Sequence, residues 1–138
     1  MKNHGSVFEY ARERDEDIMR AYLEQIESCD TIYLPQIFNR VVNMPSRRFW
    51  VSAERAAIVI SSMMRGDNLQ RMRPTKREMF REIYRRVLKL RAENPEMSIY
   101  EMVFYVVQEP APKIYLTAGY AKGINFKAKK LWHEKRRQ

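Results

Sequence analysis

Cysteine occurs once in the 138 residues, histidine twice and glycine four times. A lone Cys29 excludes an internal disulfide and a zinc site built on cysteines. Four glycines leave little for a phosphate-cradling loop, and neither common spacing of such a loop occurs. No apolar run approaches the ~20 residues of a membrane span. The opening residues, MKNHGSVFEYARERDED, lack the apolar core of a secretory signal. These absences lead to the expectation of a cytoplasmic chain. His4 and His133 stand near opposite ends, so a fixed pair of metal ligands or a nucleophile with its base is not expected. Cys29 stands beside Asp30, without the positive neighbours that make a thiolate reactive, and is expected to be structural. The carboxylates Glu13, Asp15, Glu16 and Asp17 are interleaved with Arg12 and Arg14, the pattern of a solvated helix face. No cofactor, no metal and no catalysis are expected.

What is present is apolar substance and positive charge. Apolar residues make up 45 % of the chain, enough for one core of ordinary size, and Lys and Arg outnumber Asp and Glu by 26 to 17. The excess is uneven. Residues 1–45 carry 5 basic and 8 acidic side chains, residues 46–91 carry 13 and 4, and residues 92–138 carry 8 and 5. Asymmetry of this kind is a footprint of polyanion binding.

The chain also resembles itself. Offset by 65 positions, residues 12–56 and 77–121 share ten identities, among them Ile18/Ile83, Val41/Val106, Val42/Val107, Pro45/Pro110 and Ala56/Ala121. Chance alignment of two amphipathic helices accounts for the aliphatic matches. It does not account for a shared VV-x-x-P followed by a basic residue, an aromatic, an aliphatic, Ser or Thr, and Ala.

Each stretch reads as three helices. The first is long and amphipathic, with Met79, Phe80, Ile83, Val87 and Leu90 forming an apolar stripe in the second copy. Thr75 and Glu78 are expected to form its capping box, and Asn94-Pro95 to stop it. A shorter helix follows, from Pro35 to Asn43 and from Ser98 onward, each ended by a proline. The aromatic and β-branched pieces 47–51 and 113–116 read as extended segments that pair with each other. Ser52 and Thr117 then head a third helix. The expected fold is therefore all-α: one globular domain over 1–138 of two tandem, pseudo-twofold-related three-helix repeats. Repeat one covers about 12–64, a connector 65–74, repeat two about 75–131, and a basic tail 132–138. Val41, Val42, Val106 and Val107 are expected inside.

The strings PSRRFWVSAERA and PAPKIYLTAGYA, with RPTKREMFREIYRRV, resemble a set of small basic uncharacterised proteins of gut Bacteroidetes. The likeness covers most of the chain from about residue 12. It implies a bacterial, cytoplasmic setting and carries no activity or functional residue.

Three basic elements are candidates for contact with nucleic acid. Arg73, Arg77, Arg81, Arg85 and Lys89 form an i+4 ladder on one helix, for which a salt-bridged solvent face is the plain alternative. Arg47 and Arg48 beside Trp50, and Lys113 beside Tyr115, can grip phosphate and stack a base, unless Trp50 is a core anchor. The third helix of the second repeat offers Tyr120, Lys122, Asn125, Lys127, Lys129 and Lys130, with Lys135, Arg136 and Arg137 beyond, and Arg55 opens the third helix of the first. Tyr120 and Asn125 are the residues expected to reach base edges. A membrane-surface helix built on Phe126, Leu131 and Trp132 is disfavoured, because these are expected in the core. The expected function is a nucleic-acid-binding accessory or regulatory protein, with DNA favoured over RNA and no small-molecule substrate or membrane partner. The alternative is a non-catalytic interaction or assembly module, with which a homodimer is compatible.

Overall fold

The computed structural model describes residues 4–136 and is all-α. Its six helices are α1 (His4–Glu27), α2 (Leu34–Val42), α3 (Ala53–Met64), α4 (Pro74–Glu93), α5 (Ile99–Val107) and α6 (Ala118–Arg136), with no strand among the described residues. No helix of these is long and apolar enough to cross a membrane.

The helix ends follow local chemistry. Ser52 and Ser98 accept hydrogen bonds from the amides of Arg55 and Glu101, and Thr117 from that of Tyr120, so each satisfies one orphan donor of a first turn. Helices α2 and α4 instead carry a proline in the first turn, Pro35 at the second position and Pro74 at the first, where its missing N–H is no loss. Thr75 consequently lies inside the first turn of α4 and makes no cap, contrary to the expected capping box.

The helices pack in two compact units. Unit 1 combines residues 1–46 with 112–138, and unit 2 is residues 47–111. In unit 1, α6 lies on both α1 and α2. Ile18, Ala21 and Tyr22 of α1, Ile37, Phe38 and Val41 of α2, and Ala121 of α6 close its core, joined by Ile114. In unit 2, α3 lies on α4 and α5, and the buried residues include Phe49, Ile60, Phe80, Ile83, Val87, Met102 and Val106. The third helix of each self-similar stretch thus packs with the first two helices of the other. Of the four expected core valines, Val41, Val106 and Val107 are buried, and Val42 is half-buried.

The pieces expected to be extended are bends. Their amides go elsewhere: Phe49 donates to the carbonyl of Val107 at 3.0 Å, and Ile114 to that of Val42 at 3.1 Å. Val107 and Val42 are the last residues of α5 and α2, whose carbonyls have no intrahelical partner. Each bend therefore closes the end of a short helix instead of entering a ladder. Tyr115, buried in the second bend, holds φ at 61°, a left-handed conformation unfavourable for a bulky side chain by about 1–2 kcal/mol.

Candidate nucleic-acid interface

The arginine ladder of α4 divides into two halves. Arg85 and Arg86 both hold Glu82, at 2.7 Å each, and Arg86 reaches on to Glu109 at 3.1 Å and to the carbonyl of Pro110 at 3.0 Å. The guanidinium of Arg86 also lies over the ring of Phe49, 4.9 Å from its centroid. Hydrogen bonds from Arg85 first, then Arg86, hold the Glu82 carboxyl below the usual carboxylate range. This half is a salt-bridged structural face. Arg73, Arg77 and Arg81 precede it along the helix and make no ion pair among the described residues. Arg73 and Arg81 are exposed, and Arg77 is half-buried.

Arg48 is a clamp. Its guanidinium donates to the carbonyls of Phe49 at 3.0 Å and Val51 at 3.1 Å, so it holds the bend that carries Phe49 into the core. Two of its five donors are thus on backbone oxygens, which gives Arg48 a structural role besides the phosphate contact expected of it. The aromatic anchor of that bend is Phe49, fully buried, while Trp50 is half-buried with Arg48 5.8 Å from its ring centroid. Arg47 and Arg55 are exposed in unit 2, and Lys113 is half-buried in unit 1.

On α6 the side chains separate by face. Lys122, Lys127, Lys130 and Tyr120 are exposed. Lys122 stacks on Phe126 at 5.8 Å, and the half-buried Lys129 lies over Tyr22 at 5.1 Å. Asn125 is fully buried and cannot reach a base edge. The expectation of direct readout by Asn125 is therefore wrong: it occupies the inward stripe with Ala121, and its amide has no hydrogen-bond partner among the described residues. The self-similarity contained the signal, because Asn125 aligns with Ile60 of α3, also fully buried. Phe126 and Leu131, expected in the core, are exposed instead. Expectations on the side chains of His4, Trp132, Arg136 and Arg137 lie outside the described residues.

Folding redistributes the charge. Unit 1 carries 13 basic and 9 acidic residues and unit 2 carries 13 and 8. The linear asymmetry between a negative N-terminal third and a positive middle does not persist between the units. The basic α6 sits with the acidic α1, and the arginines of α4 sit with the glutamates around α5. The thirteen candidate residues split accordingly: Arg47, Arg48, Arg55, Arg73, Arg77 and Arg81 fall in unit 2, and Lys113, Tyr120, Lys122, Asn125, Lys127, Lys129 and Lys130 in unit 1.

Among the described residues no group of His, Cys, Asp and Glu could hold a metal ion. A shallow groove of about 340 Å³ beside α4 and α5 is lined by Arg85, Arg86, Lys89, Glu93 and Glu109, charges of both signs. Cys29 has a cationic neighbour after all, since Arg40 donates to its sulfur at 3.3 Å. No family model matches the chain, and no curated protein or solved structure is significantly similar to it.

Proposed function

We propose that this chain binds nucleic acid, as a non-catalytic accessory or regulatory protein, through cations that the fold leaves without carboxylate partners. The observation that carries this reading is the division of α4: Glu82 occupies Arg85 and Arg86, while Arg73, Arg77 and Arg81 have no such partner. Exposed Lys127 and Lys130 on α6 supply a second cationic face. Such side chains neutralise phosphates and release counterions, independently of sequence. DNA is favoured over RNA because these cations ride on exposed helices, which B-form grooves admit and the deep groove of A-form RNA does not. We further propose that the two similar stretches are a duplication, two three-helix repeats that exchange their third helices. The equal spacing of Phe49 to Ile114 and of Val42 to Val107, which carry matching hydrogen bonds, supports it.

Mobility shift and fluorescence anisotropy with random-sequence duplex and single strand, each at two salt concentrations, test the function. Binding should weaken by decades as salt rises. Replacing Arg73, Arg77 and Arg81 together by Ala should weaken binding to unrelated sequences alike and flatten the salt slope by about 0.9 for each lost contact. Arg85→Ala should change binding little. A wild-type protein with no salt-sensitive binding to either form would sink the reading.

A further inference from the structure

Helices α3 and α6 occupy matching seats, the one on α4 and α5 and the other on α1 and α2. The offset of 65 positions makes α3 a measure of what such a seat takes. Both helices begin on a capping hydroxyl, Ser52 or Thr117, and both bury the alanine four positions on, Ala56 or Ala121. From there α6 is held less firmly. Ile60 is fully buried, and its match Asn125 is a buried amide with no hydrogen-bond partner among the described residues. Val59 is buried, and its match Ile124 is half-buried. Met63 is matched by the much smaller Ala128. Glu54 and Ile58 are matched by Gly119 and Gly123. Glycine weakens a helix relative to either residue, and no close approach requires it here: nothing lies within 4 Å of where either side chain would begin.

The bend that leads into α6 adds strain. Tyr115 holds φ at 61°, whereas the matching Trp50 has no positive φ. Such a conformation persists only while the packing around it holds. What α6 has instead lies toward its margins. Phe126, 41 % exposed, meets Phe38 edge to face at 6.2 Å, and Lys129 lies over Tyr22 at 5.1 Å. The buried amide, the smaller side chains, the two glycines and the strained bend all act in one direction, and a protein opens locally where its hold is weakest.

We propose that α6 is a detachable helix: it leaves its seat on α1 and α2 as a unit while unit 2 stays folded, and the seat then accepts the α6 of a second copy of the chain. The seat itself fixes the occupant. Ile18, Tyr22, Ile37, Phe38 and Val41 face water once α6 has gone, and the surface shaped to cover them is that of this helix. Exchange remakes the same contacts, so the tether sets its limit, giving the chain's own α6 a local concentration on the order of millimolar. Copies therefore trade helices only when the chain is concentrated. Neither release nor exchange rests on nucleic-acid binding.

Hydrogen exchange on the full chain, followed by NMR across a urea series, tests release. The amides of 122–129 should share one opening and exchange on the order of tenfold or more faster than those of 57–64 in α3. They should also respond less steeply to urea, because their opening exposes less surface. Gly123→Ala should slow them about fivefold, and Asn125→Ile by about that factor or more. Exchange is tested with a fluorescent peptide of residues 113–136 carrying Asn125→Ile, added to the full chain. Anisotropy should show saturable binding, abolished by a further Ala121→Lys in the peptide, which raises its charge and spoils the buried contact. Gly123→Ala in the chain should weaken peptide binding by the same factor by which it slows exchange, because only the open fraction binds. Amides of α6 as protected as those of α3, an opening in step with α4 and α5, a peptide that does not bind, or one whose affinity ignores Gly123→Ala would each overturn the proposal.

Discussion

Ser46 donates its hydroxyl hydrogen bond to Asp17 at 2.9 Å inside unit 1, where both residues are almost wholly buried. The second carboxylate oxygen of Asp17 takes Arg20 at 2.8 Å, and Arg20 continues to the carbonyl of Pro45 at 3.1 Å. A charge in the core is thereby tied to the end of α2. Removing the cation leaves a buried carboxylate without its counter-charge. Arg20→Ala should therefore cost about 3 kcal/mol, at the low end for a broken buried pair because Arg20 itself keeps some exposure. Ser46→Ala should cost about 1 kcal/mol. Urea denaturation of the two variants gives both numbers, and equal small losses would contradict the buried-pair account.

Asn125 leads to the opposite sign. Its amide is fully buried and unpartnered among the described residues, on a helix face where the aligned residue is Ile60. Asn125→Leu keeps the heavy-atom count and branching of the side chain and removes the desolvated polar group. The variant should gain about 1–3 kcal/mol, read as a raised thermal midpoint, with no loss of DNA binding. A destabilised variant would mean that the amide is satisfied in solution.

The third helices start on matched hydroxyls. Ser52 accepts from the Arg55 amide at 3.1 Å and Thr117 from the Tyr120 amide at 3.2 Å. Ser52→Ala and Thr117→Ala should each lower stability by about 1 kcal/mol, and their effects should add because they cap different helices. Thr75→Ala, inside the first turn of α4, should not show the loss of a cap. Chemical denaturation of the three variants and the double variant measures this directly.

Acid should release the Glu82 cluster. The folded-state pKa of Glu82 lies below its ordinary value because Arg85 and Arg86 hydrogen-bond the ionised form. Its contribution is therefore complete above the unfolded glutamate pKa and is lost as pH falls through the lower folded value. Wild type should be more stable than Glu82→Gln near neutrality, and the gap should close as the solution is acidified. A gap that widens in acid would reverse the assignment. The measurement is a series of melts across pH for both proteins.

Several features were legible in the residues because they depend on near neighbours. Prolines 45 and 110 follow closely on the ends of α2 and α5, Asn94-Pro95 ends α4, and Ser52, Ser98 and Thr117 head helices through bonds to amides three positions on. The apolar stripe Met79, Phe80, Ile83 and Val87 is buried as its periodicity requires. Thr75 failed as a cap because Pro74, one position earlier, is better suited to the first helical place. The bends failed as strands because the free carbonyls of Val42 and Val107 took their amides, a competition between distant residues that no local pattern expresses.

The sequence by itself determined the helical class, the caps at Ser52, Ser98 and Thr117 and the inward stripe of α4, since these follow from backbone donors and spacing within a few residues. Only the tertiary structure decided which helices share a core. The two stretches carry nearly the same apolar stripe, so α3 and α6 fit either pair of partners, and long-range packing settles α6 on α1 and α2 and α3 on α4 and α5. That choice in turn sets α6 lysines beside the acidic α1, evens the charge between the units, and buries Asn125. The pairing of Arg85 and Arg86 with Glu82 is local, three and four positions apart on α4, while the contact of Arg86 with Glu109 exists only because α5 packs against α4. Charge along a chain is a property of composition; which charges stay free is a property of the neighbours that folding brings within hydrogen-bonding distance.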